Sequence, residues 1–146
     1  MAEFVSEIKY IPHTDADVYK VLSDLSNLEL AKDKIPQDKI KDFLFDSDSC
    51  SMTVDPVGQV RFVIVEREPN KTIKLQAEQL PFEVIMWIQL VPAKEGETKM
   101  KLTIKADLNP FIKPMVAKPL QAGVDKVAET LALLPYDEIL NKGTIE

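Results

Sequence analysis

Residues 110–134 read PFIKPMVAKPLQAGVDKVAETLALL. Ile112, Val116, Leu120, Val124, Val127, Leu131 and Leu134 recur there at steps of four and three, the period of one helix face. Lys113, Lys118, Gln121, Asp125 and Glu129 fall largely off that stripe, as a solvated back should. At ~1.5 Å per residue the segment spans roughly 35 Å, enough to cross a whole sheet. Pro114 fits a first turn, whereas Pro119 removes a backbone donor and is expected to kink or break the helix near Met115. A kink there would lift the N-terminal part of the helix and make a gate.

Nearly everything before this helix has a period of two. The residues from Glu3 to Ile11 predict a first strand, with Phe4, Ile8 and Tyr10 on one side, closed by Pro12. Thr14 then offers an N-cap hydroxyl, and Val18, Val21, Leu22 and Leu25 make the stripe of a short helix. Asn27 is placed to cap a second short helix, Leu28 to Lys34, ended by Pro36. Phe43 and Phe45 mark the next strand, then Cys50, Met52 and Val54, with Asp46-Ser47-Asp48 between them as a turn. Asp55-Pro56-Val57-Gly58 is a strong turn signal. The strand from Gln59 to Glu68 carries Val60, Phe62 and Ile64 on one face. In the following strand Ile73, Leu75 and Ala77 point inward against Lys74, Gln76 and Glu78. Residues 82–91 are apolar on both faces. After the Lys94-Glu95-Gly96-Glu97 hairpin, Met100, Leu102, Ile104 and Ala106 alternate with Lys99, Lys101, Thr103 and Lys105.

The sum is an α+β fold in which one single domain, 1–146, holds a seven-stranded antiparallel sheet wrapped around a long C-terminal helix. Two short helices follow strand one. This order resembles the START-like superfamily, with its birch-pollen-allergen, polyketide cyclase and lipid-transfer families, whose architecture is called a helix grip. The residues carrying the resemblance are Pro12-His13-Thr14-Asp15 through Leu25, Trp87 to Pro92 with Gly96 to Met100, and Asp107 to Leu120 around Pro110-Phe111-Ile112. The resemblance implies an apolar cavity between helix and sheet. It carries over no catalytic residue, because no catalytic signature is shared across that superfamily.

Composition narrows the chemistry. A net charge of −6 repels phosphate backbones and anionic lipid heads, so no nucleic-acid partner is expected. No apolar run is long enough for stable membrane insertion. Cys50 is the lone cysteine and residues 1–4 lack the pattern of a signal peptide, which points to a cytoplasmic protein. His13 is the lone histidine, so a clustered His/Cys metal site is ruled out, and four glycines build no phosphate cradle. Asp46-Ser47-Asp48 lacks the Gly and Glu of a calcium loop. Glu78 and Glu83 are the candidate carboxylate pair at a cavity mouth, against ordinary surface carboxylates. No cofactor, metal or catalytic constellation is expected.

The expected ligand is a hydrophobic small molecule such as a lipid, quinone or polyketide. Phe43, Phe62, Met86, Ile104, Phe111, Met115 and Leu120 are expected to line its pocket, being large or soft side chains. Two alternatives stand beside this: a cyclase/dehydrase-type enzyme, and an interaction module. The second would use Trp87, Ile85, Val63 and Val65 on the convex sheet face, by homodimerisation or with another protein.

Overall fold

The computed structural model describes residues 1–34, 40–54 and 58–145, with 31–34, 40, 54 and 142–145 described by backbone alone. Pro36, and Asp55 to Val57 of the expected turn, lie outside the described residues. Strands β1 (Ala2–Val5) and β2 (Lys9–Ile11) precede helix α1 (Asp15–Leu22) and a 3-10 helix (Leu25–Lys34). Six strands follow: β3 (Ile40–Phe45), β4 (Ser49–Val54), β5 (Gly58–Glu68), β6 (Thr72–Glu78), β7 (Val84–Pro92) and β8 (Thr98–Ala106). Helices α2 (Lys113–Ala132) and α3 (Tyr136–Ile145) close the chain. The sheet runs β1-β8-β7-β6-β5-β4-β3, with β2 also on β8, and every pairing is antiparallel. The strands from β3 to β8 therefore form a meander. α1 and the 3-10 helix carry the chain from one sheet edge to the other.

The expected first strand is two. β1 pairs Phe4 with Ile104, but β2 pairs Lys9 with Met100, so one extra residue lies on the edge side. A one-residue insertion reverses which face each later side chain takes. Phe4 and Ile11 are buried, whereas Ile8 and Tyr10, expected on the side of Phe4, are exposed. Ser6 bridges the break. Its N–H donates to the Leu102 carbonyl at 2.8 Å, and its buried Oγ accepts from the Leu102 N–H at 2.9 Å.

Thr14 caps α1 as its position suggested, accepting from the Asp17 N–H at 3.2 Å. Asn27 acts elsewhere than expected. Its side-chain amide donates to the Val21 carbonyl at 2.8 Å, closing the end of α1, while the 3-10 helix has already begun at Leu25. Arg67 ties this region to the β3–β4 turn through the Ser23 carbonyl and the Asp48 carboxylate. Between β7 and β8, Gly96 takes φ +73, the left-handed conformation such a turn needs.

α2 starts later than the apolar stripe. The Asn109 side chain accepts from the N–H groups of Phe111 and Ile112, holding residues 109–112 in a turn, and Pro114 sits in the first helical turn. Contrary to the expected break, the helix continues through Pro119 as one element to Ala132. Val116, Val124, Ala128 and Leu131 are its buried residues. It packs against β8, β1, β2 and the 3-10 helix. The Gln121 amide donates to the Val5 carbonyl at 3.0 Å, and Asp125 accepts from the Glu7 N–H at 3.1 Å. These contacts latch α2 beside the break in the edge strand.

α3 was not expected, although Pro135 followed by Asp137 and Glu138 is a helix-start pattern. The buried Tyr136 hydroxyl donates to the Leu131 carbonyl at 2.6 Å, and its ring lies 5.3 Å from that of His13.

Replacing Ser6 by Ala should leave the buried Leu102 N–H without its acceptor and cost about 1–3 kcal/mol. Urea unfolding of Ser6→Ala should show a lower midpoint at unchanged slope. An unchanged midpoint would mean that the serine is not needed to bridge the strands.

Candidate functional site

Because α2 lies toward β1, β2 and β8, the concave face of the remaining strands is only partly covered. Bulges between Lys41 and Leu44 and between Ile64 and Glu66 add to the curvature of that half. The result is a cavity of about 170 Å³. Its floor is the sheet: Phe43 and Phe45 of β3, Cys50 and Met52 of β4, Phe62 of β5. Met86 of β7 and Ile104 of β8 extend that floor. α2 contributes Val116, Pro119, Leu120, Gly123 and Val127. Leu22, Leu25 and Leu28 close one end, and Leu80 and Phe82, from the loop between β6 and β7, line another part.

Five of the seven expected pocket residues therefore meet around one space: Phe43, Phe62, Met86, Ile104 and Leu120. Phe111 and Met115 do not. They are 88% and 65% exposed and lie outside the lining, because the Asn109 turn delays the helix and both side chains fall on its solvent side. The leucine series 22, 25, 28 was missed as lining. Its step of three is visible in the sequence, but a helical stripe alone does not separate core from cavity wall.

An apolar space of about 170 Å³ is volume that a close-packed core would fill, and its lining forgoes the contacts that filling would supply. Gly123 points the same way. Glycine inside a helix costs about 0.5–1 kcal/mol relative to alanine, yet a Cβ at this position would meet nothing within 4 Å. Packing does not demand this glycine. Its effect is to widen the cavity.

Polar groups at the wall are few. Among the described lining residues none is Asp, Glu, His or Tyr. Burial pushes the Cys50 thiol from 9.0 up to about 12, and the negative charge of Asp46 adds to the rise. At neutral pH it is a thiol, not a thiolate nucleophile. Lys126 and Thr130 are the other polar residues of the lining, Lys126 exposed and Thr130 half-buried.

The remaining candidates have structural partners. Glu78 pairs with Arg61, and neither Glu78 nor Glu83 lines the cavity. Asp46 accepts from the N–H groups of Asp48 and Ser49 and from the Ser49 hydroxyl. That hydroxyl, first among these bonds, holds the Asp46 carboxyl below its ordinary value. Asp48 is paired with Arg67. No group of acidic, His or Cys side chains suited to a metal ion occurs among the described residues. His13 sits between Tyr136 and Asp137, away from the cavity. On the convex face Trp87 is half-buried, with the ammonium groups of Lys74 and Lys105 each 5.7 Å from its ring centre. Two like-charged ammonium groups over the ring oppose stacking of this face on a second copy of itself.

A START superfamily protein from Mycobacterium smegmatis superimposes with a TM-score of 0.58 at 13% identity, over 89% of this chain and 94% of that one. The fold is START-like. Within the same fold, norcoclaurine synthase from Thalictrum flavum matches with a TM-score of 0.64 at 16% identity, over 90% of this chain and 85% of the synthase. The synthase has also been solved in complex with dopamine and hydroxybenzaldehyde. A protein from Thermus thermophilus matches with a TM-score of 0.62 at 17% identity, over 90% of this chain and 94% of that one. No family model matches the sequence, and no curated protein sequence does. No described helix is long and apolar enough to cross a membrane.

Gly123→Ala should raise the melting temperature by about 2–4 °C, the shift expected for about 1 kcal/mol in a chain of this length, as measured by calorimetry. A fall would mean that the glycine serves backbone packing. Alkali should do the reverse. The raised Cys50 and Tyr136 values favour the folded state while both groups are protonated. That contribution is complete below pH 9 and is lost as pH rises toward 12. Melting temperatures recorded between pH 8 and 11 should decline, and Cys50→Ala should flatten the first part of the decline.

Proposed function

We propose that this protein binds a hydrophobic small molecule in the cavity between its sheet and α2, with Phe43, Phe62, Met86, Ile104 and Leu120 as the contact surface. The supporting observation is a continuous apolar wall around about 170 Å³ of space that the fold maintains at the expense of packing. Flexible Met52 and Met86 let the wall adapt to the shape of its guest. A free cysteine in that wall suits a reducing compartment and supports a cytoplasmic binder, with transport as the natural use of reversible uptake.

An enzyme of the cyclase/dehydrase type is the alternative, and the synthase among the structural neighbours is the observation in its favour. Such chemistry needs an acid or base beside the reacting atoms. The described lining offers only a buried, protonated thiol and, at the rim, Lys126 and Thr130. Binding accounts for this wall better than proton transfer does.

Native mass spectrometry of the freshly purified protein, with solvent extraction of what it carries, should find a stoichiometric apolar adduct. Leu120→Lys, which places an ammonium in the wall, should remove the adduct. Met115→Glu, on the exposed side of α2, should retain it. An adduct that survives Leu120→Lys and is lost in Met115→Glu would place the ligand elsewhere.

A further inference from the structure

One side of the cavity differs from the rest. Lys126 and Thr130, four residues apart on α2, lie on the same helix face and border the opening. Lys126 is exposed, so its alkyl stem lines the mouth while its ammonium reaches water. Neither its ammonium nor the Thr130 hydroxyl has a side-chain partner among the described residues. The neighbouring Asp125 carboxylate is turned away and held by the Glu7 N–H and Gln121. Glu129, the other acid of this stretch, is exposed, lies outside the lining and forms no ion pair with Lys126. In a chain of net charge −6 the mouth thus offers an unpaired cation and a hydroxyl, with no carboxylate in the lining.

We infer that the ligand is a compact amphiphilic anion, whose apolar body fills the cavity and whose single anionic head, such as a carboxylate, meets Lys126 and Thr130 at the mouth. This rests on the cavity being the binding site. The volume limits the body. An apolar cavity of about 150 Å³ accommodates benzene, so 170 Å³ suits one ring or a short acyl chain. A long-chain lipid or a sterol would leave most of its apolar surface in water. An ammonium–carboxylate contact at an exposed rim contributes up to about fivefold in affinity and weakens with salt.

Titration calorimetry on the full chain with octanoate, 1-octanol and palmitate separates head, body and site. Octanoate should bind about two- to fivefold tighter than octanol at low salt, and the advantage should shrink in 0.5 M salt. Lys126→Glu should weaken octanoate about tenfold and leave octanol within about twofold, because reversal adds repulsion to the lost attraction. Palmitate should bind no tighter than octanoate. If octanol matches octanoate, or Lys126→Glu leaves octanoate unchanged, the anionic head is overturned while octanol binding preserves the cavity. Palmitate binding more than about tenfold tighter would overturn the limit on the body. Binding of none of the three would remove the cavity reading, and this inference with it.

Discussion

The structure depends on a mismatch of widths: a single helix cannot cover a sheet this broad. α2 has one apolar stripe and uses it against β8, β1, β2 and the 3-10 helix. The meander from β3 to β7 curls up beside it instead of lying flat beneath it. Side chains that would touch a second helix in a layered α+β protein face one another across a gap. Leu22, Leu25 and Leu28 close one end of that gap, while Leu80 and Phe82 line another part. The cavity is the space left over by this geometry, and the latch of Gln121 and Asp125 on the broken edge strand keeps α2 from sliding over it.

Most of this was legible because most of it is periodic. The alternation of Met100, Leu102, Ile104 and Ala106 predicts their burial, and all four are buried. The stripe from Ile112 to Leu134 predicts a helix that packs by one face, and within α2 Val116, Val124, Ala128 and Leu131 are buried. What escaped the sequence was set by single hydrogen bonds between distant residues or by local caps. The Asn109 side chain delays α2 and turns Phe111 and Met115 outward. The Ser6–Leu102 bridge allows the edge strand to change face without losing its place on β8. Asn27 is expected to cap the helix that follows it, but its amide instead donates to the Val21 carbonyl behind it in the chain.

The candidate site was half legible for a related reason. Type and period show that Phe43, Phe62, Met86, Ile104 and Leu120 point inward. They do not show whether inward means packed or open. That distinction came from the position of α2 and from Gly123, where a helix forgoes a side chain although space is free. Pro119, expected to kink or break the helix, does not break it; it lies within α2 and lines the cavity.

The pairing of β1 with β8 has a consequence for how the chain is made. Ser6 and Leu102 are 96 residues apart, and ribosomes add about 5–20 residues per second, so the first strand waits about 5–20 s for its partner. α2 emerges later still. During that interval the meander can zip by short hairpins, one strand at a time, with its concave apolar face bare. The surface that later surrounds the cavity therefore stays exposed on the nascent chain until α2 emerges. Transiently bare apolar surface of this kind is where two unfinished copies would associate.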